Sequence, residues 1–177
     1  MAPMYTFPTG MSRKDPAFRR IEKIIEGFRG YDTVEDLKAA DSQVRSQLAR
    51  QMKNTRAEAD NARKIIEKRL LLSVILDFSD MISHIEKALI RLSRPPGQII
   101  TECRKYTPEE DKIGKIYNLD FQVLSDAEST YSLMQEFQRL EQEDLIRSNI
   151  LKIIMATRDI VARLDEKDRL INCMIKT

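Results

Sequence analysis

Apolar residues return every three or four positions along most of this chain, and that spacing predicts helices. Asp15-Pro16 opens the first one, because Asp can cap free amides and Pro suits the first helical position. Phe18, Ile21, Ile25 and Phe28 then share a face, and Gly30 is expected to end the helix. Thr33-Val34-Glu35-Asp36 reads as a capping box with Asp in the Glu position, so a second helix begins at about Val34. It uses Leu37, Val44 and Leu48, then turns polar from Ala49 to Lys64, where Ala57, Ala59 and Ala62 supply small positions. Leu71, Ile75, Phe78, Ile82, Ile85, Leu89 and Leu92 alternate by four and three, which is the seam of a bundle or coiled coil. At about 1.5–3 kcal/mol per buried side chain these seven are worth roughly 10–20 kcal/mol before entropy, so a partner surface must exist.

Arg94-Pro95-Pro96-Gly97 breaks the pattern, and residues 98–105 read as one or two helical turns. Thr107-Pro108-Glu109-Glu110 repeats the logic of a capped start. The helix after it carries Ile113, Tyr117, Asp120, Leu124, Ala127, Tyr131 and Met134 on one face. A polar corner is expected around Glu141-Gln142-Glu143-Asp144. The last helix shows Ile146, Ile150, Ile153, Thr157, Ile160, Leu164, Lys167, Ile171 and Met174, with Ile154 and Val161 widening the stripe. Neither Gly nor Pro interrupts 31–94 or 115–177. As one rod, 34–92 would span about 90 Å. A bend is favoured, either near Asn54 or at a corner near Arg69–Leu72, because globular helices rarely run so long. The expected fold is all-α: an elongated antiparallel four-helix-type bundle with a short N-terminal helix, one domain over 15–177 behind a flexible arm of residues 1–14.

Composition agrees with long helices, at 33% charged and 6% aromatic with no Trp. The net charge of +2 names no partner, but its distribution is uneven: +6 over 1–105, −7 over 106–144 and +3 over 145–177. The longest apolar stretch, Leu70 to Leu76, is too short for a membrane, and the N-terminal residues lack a signal-peptide core. Cys103 and Cys173 are too few and too far apart in sequence for a zinc site or a disulfide scaffold. A cytoplasmic protein is expected, partnered by a second copy or another protein and needing no cofactor.

Candidate chemistry is sparse. His84, the sole histidine, has no Glu three residues before it, so the Glu-x-x-His ligands of a di-iron bundle are missing, and it reads as a seam-edge side chain. Asp120 is the better candidate, since it occupies a seam position beside Tyr117. A buried carboxylate must be paired or hydrogen-bonded, so Asp120 with Tyr117 marks either a polar site inside the bundle or a register-setting pair with a facing Arg or Lys. Glu109-Glu110 and Glu141-Gln142-Glu143-Asp144 are similar to the Glu-Glu-x-x-Glu and Glu-x-x-Asp magnesium motifs of all-α nucleotide pyrophosphatases, but Ile113 stands where a third carboxylate is needed. Arg45, Arg50, Lys53, Arg56, Arg63, Lys64, Lys68 and Arg69 outnumber Glu58, Asp60 and Glu67 by five, and could form an anion-binding surface along a phosphate backbone. The alternative is that this face meets the acidic helix within the molecule or across a dimer.

Gly30-Tyr31, followed by Glu35, Leu37, Ala40-Asp41 and Arg45, resembles the start of an uncharacterised family of helical prokaryotic proteins, in which a Leu-Tyr-x-x-Asp element often recurs. Ile116-Tyr117-Asn118-Leu119-Asp120 is similar to that element, and the likeness covers about residues 28–135. The family's Gly-Tyr-rich loop before the second element is missing here. The resemblance implies a cytoplasmic prokaryotic helical protein and carries no activity. The functional expectation is therefore a non-catalytic helical scaffold or protein-interaction module. Sequence-nonspecific nucleic-acid binding stands second and a Mg-dependent nucleotide hydrolase third.

Overall fold

The computed structural model of the chain describes residues 14–93 and 105–176. Within them lie α1 (Pro16–Ile24), α2 (Val34–Lys68), α3 (Leu72–Ser93), β1 (Lys105–Tyr106), α4 (Glu110–Glu136), a 3-10 turn at Phe137–Arg139, α5 (Glu143–Met174) and β2 (Ile175–Lys176). The fold is all-α, a short helix on an elongated four-helix bundle. The expected arm except Lys14, the break at Arg94–Gly97, the turns expected over 98–104 and Cys103 lie outside the described residues.

Asp15 accepts from the Ala17 amide at 2.7 Å with Pro16 at the first position, and the Thr33 hydroxyl accepts from the Asp36 amide at 3.1 Å. Asp36 takes no part in a reciprocal box: its carboxylate accepts from the Thr33 hydroxyl and pairs with Arg29. α1 ends at Ile24, earlier than expected, because Gly27 and Gly30 both adopt positive φ and fold the chain back between them. Ile25 and Phe28 still reach the core, from the connection rather than from the helix. α4 starts at Glu110, not Pro108. The segment before it is extended, pairing Lys105 with Lys176 and Tyr106 with Ile175, and the Thr107 amide donates to Met174 O.

The 34–92 stretch is two helices, and the corner falls at 69–71 while α2 runs unbroken through Asn54. The Leu70 amide donates to Glu67 O and the Leu71 amide to Ile66 O, which is the Schellman arrangement. Leu70 occupies its left-handed position at φ 53.

Helices within each hairpin, α2–α3 and α4–α5, run antiparallel. The hairpins then lie side by side. Ser73, Asp77 and Arg91 of α3 meet Glu143, Arg147 and Asp165 of α5 in the same order, so these two helices run parallel. Tyr31 and Glu58 meet Tyr117 and Gln138 in the same sense along α2 and α4. α2 and α5 face each other across the diagonal, and α1 packs on α4.

All nine positions of the expected α5 stripe are buried. On α3 the dry line is Val74, Phe78, Met81, Ile85, Ala88 and Leu92, with Ile82 buried beside it and Leu71, Ile75 and Leu89 only half-buried at its edge. The expected seam is therefore turned partway around the helix. In α2, Met52, Thr55 and Ile66 join Ala59 and Ala62 inside, whereas Ala57 is exposed. No helix among the described residues is long and apolar enough to cross a membrane.

Leu70 is 77% exposed and gains little packing in return for its left-handed backbone. Leu70→Gly should raise stability by about 1 kcal/mol, the cost an L side chain incurs there, measured as the urea midpoint at an unchanged slope.

Candidate functional site

The buried charges gather at one level, in the first half of α2 and α4 and near the end of α5. Three charged residues occupy stripe positions there: Asp41 between Leu37 and Val44, Asp120 between Tyr117 and Leu124, and Lys167 between Leu164 and Ile171. Helical spacing aims all three inward, and all are at most 1% exposed. Lys167 Nζ donates to Asp120 Oδ1 at 2.6 Å and to the Tyr31 hydroxyl at 3.0 Å, and lies 2.9 Å from Asp41 Oδ1. An ammonium has three protons, and three oxygens surround this one.

Tyr31 joins the connection after α1 to this cluster. Its hydroxyl donates to Asp120 Oδ2, its amide donates to the Tyr117 hydroxyl at 3.2 Å, and its carbonyl accepts from the Tyr106 hydroxyl at 2.7 Å. Phe18, Phe28, Tyr31 and Tyr117 pack around it with centroids 5.2–6.2 Å apart. Gly30 is required by this packing, since a Cβ there would sit 2.7 Å from the Tyr117 hydroxyl.

The cluster continues toward the surface. Arg45 Nε donates to Asp41 Oδ2 at 2.8 Å and its Nη2 to Asp168 Oδ1 at 2.6 Å. Arg91 Nη2 donates to Asp168 Oδ2 at 2.5 Å, and its Nε to Asp165 at 2.7 Å. Three cations thus balance Asp41, Asp120 and Asp168, and the half-exposed Asp165 closes the chain. Arg45 Nη1 is buried without a hydrogen-bond partner, and Asp41 Oδ1 meets Lys167 as an ion pair without hydrogen-bond geometry.

Burial alone would raise the Asp41 carboxyl, but Lys167 and Arg45 outweigh it and hold the group below its ordinary value. Asp120 moves the other way: its complete burial outweighs Lys167 and raises it. For Lys167 burial pulls down, and the two carboxylates overcome it, keeping the ammonium charged above its usual range. The Tyr31 phenol is pushed well up, by burial first and then by Asp120 and Asp41.

Asp120 and Tyr117, the pair singled out from sequence, are thus both in the cluster, and the facing cation is Lys167. Lys167 stood on the predicted stripe among apolar residues, and periodicity alone marked neither Asp41 nor Tyr31 as its partner. The available signal was a charge at core spacing on each of three helices, two negative and one positive. Of the residues carrying the resemblance, Gly30, Tyr31, Asp41, Arg45, Tyr117 and Asp120 converge here, whereas Glu35 and Asn118 are exposed.

The basic run does not stay together as a surface. Arg45 is buried in the cluster, because two carboxylates draw its guanidinium inward. Arg56 pairs with Asp60 and Glu86, Arg63 with Glu67, and Arg50 donates to Gln47. Arg69 lies beyond α2 and donates to Leu140 O. Lys53, Lys64 and Lys68 are exposed. Glu109-Glu110 and Glu141–Asp144 sit at opposite ends of α4, about 40 Å apart by helical rise, too far to share a cation. Among the described residues no three His, Cys, Asp or Glu side chains gather as a metal requires. A shallow surface groove lined by Ser125, Glu128, Ser129, Ser132, Leu133 and Glu136 touches none of the cluster. Comparison of the chain with protein-family models, with curated proteins and with solved structures finds no match.

Lys167→Met leaves two buried carboxyls without their cation and should cost about 3–5 kcal/mol in urea unfolding. Adding Asp120→Asn should cost less than the sum of the single changes, because the two groups interact directly. The pH profile of wild-type stability should fall at both ends. Lys167, raised when folded, contributes fully below its ordinary value of about 10.4 and loses that contribution as pH rises through the higher folded value. Tyr31 acts in the same direction, since its phenol ionises sooner in the unfolded chain. Asp41, lowered when folded, contributes above its ordinary value of about 3.9 and loses it as pH falls through the folded value. Asp120, raised, partly offsets that acid loss. Urea midpoints across the pH range check this, and Lys167→Met should flatten the alkaline limb.

Proposed function

We propose that the chain is a non-catalytic helical scaffold that binds protein partners through the outward faces of α3 and α5, with a second copy of itself as the first such partner. One observation carries this reading: large apolar side chains stand in solvent on those faces. Leu72 and Leu76 of α3 are 71% and 80% exposed, Leu70 beside them 77%, and Leu151 and Met155 of α5 59% and 64%. Single exposed leucines are ordinary, but three within seven residues at one end of a bundle are a contact surface in need of cover. The interior cluster supports the same reading. Its charged groups engage one another, so it fixes the rods rather than presenting a reactive group. A prokaryotic cytoplasmic setting follows from the resemblance through Gly30-Tyr31 and Tyr117-x-x-Asp120.

Nonspecific nucleic-acid binding retains Arg50, Lys53, Lys64 and Lys68 as exposed cations on α2. It loses Arg45 to the interior. A gel-shift series against salt separates the readings, because a phosphate-bound complex must form at low ionic strength and dissolve as salt rises.

Sedimentation velocity tests the main proposal. The wild-type chain should sediment as a dimer, and Leu72→Glu with Leu76→Glu should convert it to a monomer of unchanged helix content. A wild-type chain that stays monomeric at its highest soluble concentration removes the second copy as partner.

A further inference from the structure

His84 lies on the flank of α3 that faces α5, with its side chain 14% exposed. Its Nε2 is 3.1 Å from Arg158 Nη2 on α5. A guanidinium has donors only, so Nε2 must offer its lone pair, and the ring must be neutral with its proton on Nδ1. The same nitrogen is 3.8 Å from Asp80 Oδ1, one turn earlier on α3. Two partners of opposite charge therefore stand beside one titratable atom. One belongs to the neighbouring hairpin and the other to the histidine's own helix. Lys87 adds a third charge on α3. From α2, the other helix packed on α3, Arg56 reaches across to Glu86, which helical periodicity places on the far flank from His84.

We propose that His84 Nε2 is a proton-operated switch in the seam between α3 and α5. Neutral, it accepts from Arg158 and ties the two hairpins together. Taking one proton from solvent, it becomes a donor, gives up Arg158 and turns to Asp80 on its own helix. Arg158 keeps its charge and is released to water. The tie sits midway along the seam, between the Asp77–Arg147 pair and the Arg91–Asp165 pair, neither of which depends on an imidazole. Mild acid therefore loosens the middle of the hairpin contact while both flanking ties hold.

Burial, with Arg158 and Lys87, pushes the imidazole below its ordinary value against the pull of Asp80. A histidine lowered in the folded state contributes stability above its unfolded value, about 6.5, and loses it as pH falls through the lower folded value. That window is separate from the titrations of Asp41, held below its ordinary value, and of Lys167, held above its own.

Because this is the only histidine in the chain, the full-length protein gives a single imidazole spectrum by NMR. Above about pH 7, where an ordinary imidazole is neutral, the ring nitrogens should report the Nδ1–H tautomer, and the titration midpoint should lie below that of a free histidine. Arg158→Gln should raise the midpoint and Asp80→Asn should lower it further. The drop in urea midpoint between about pH 7.5 and about pH 5.5, either side of the ordinary histidine value, should shrink in His84→Gln. An Nε2–H tautomer in the wild-type chain, or a midpoint that Arg158→Gln leaves in place, overturns the proposal.

Discussion

The bundle's register depends on one buried ammonium, that of Lys167. Stripping such a group of water costs several kcal/mol, and the loss is recovered only when its oxygens arrive together. Those oxygens come from three places: the α1–α2 connection through Tyr31, α2 through Asp41 and α4 through Asp120. The apolar stripes alone would not impose this. Ile and Leu repeat along α5 at intervals of three and four, so a slip of one turn, about 5.4 Å, would set one isoleucine in another's place. The same slip would strand Lys167 among hydrocarbon, leaving Asp41 with Arg45 alone and Asp120 with only the Tyr31 hydroxyl. Burial of apolar area thus supplies most of the cohesion, and the cluster selects which of several near-equivalent packings is adopted.

From that level the constraint spreads in two directions. Tyr31 carries it inward to the chain connections, because its amide and carbonyl hold Tyr117 and Tyr106 while its hydroxyl is in the cluster. Tyr106 brings β1 with it, and β1 closes against the residues after α5. Arg45 and Asp168 carry it outward to Arg91 and so to α3, the one long helix that contributes nothing to the ammonium itself. All four rods are pinned at this end. At the other end the ties are lighter, Ser73 with Glu143 and Arg69 with Leu140 O, and there the exposed leucines of the corner stand. One end is fixed by charge and the opposite end offers apolar surface.

What the sequence disclosed follows the same physics. The α5 stripe was legible in full, because nine positions of consistent spacing admit one face. On α3 two overlapping lines fit the spacing almost equally, one through Leu71, Ile75 and Ile82 and one through Val74, Met81 and Ala88. They share Phe78, Ile85 and Leu92, and only the positions of the neighbouring helices decide between them. The corner at 69–71 stood only as one of two possible bends, because its left-handed residue is a leucine, where Gly or Asn would have decided between them. The end of α1 was misplaced for the reverse reason: two glycines stand close together, and the first already turns the chain. Asp120 was visible as a charge on a stripe. Its partners were not, since Asp41 and Lys167 are each a lone charge in a separate helix, and pairing them requires knowing that α2 and α5 face across the diagonal.

The scattered residues that suggested a family likeness become one object in three dimensions. Gly30 is there because the Tyr117 hydroxyl leaves no room for a Cβ, and that hydroxyl in turn receives the Tyr31 amide. Tyr31 then reaches Asp120, which lies three residues after Tyr117 and so on the same face of α4, one turn along. Asp41 and Arg45 are one turn apart on α2, close enough for the arginine to hold the carboxylate toward Lys167 while its other arm takes Asp168. Removing the side chain of any of these residues other than Gly30 leaves a buried polar group of another without a partner, and such a group costs more than the contact it loses. A Gly-Tyr pair, an Ala-Asp pair with Arg four residues on, and a Tyr-x-x-Asp element are therefore three parts of one ionic joint.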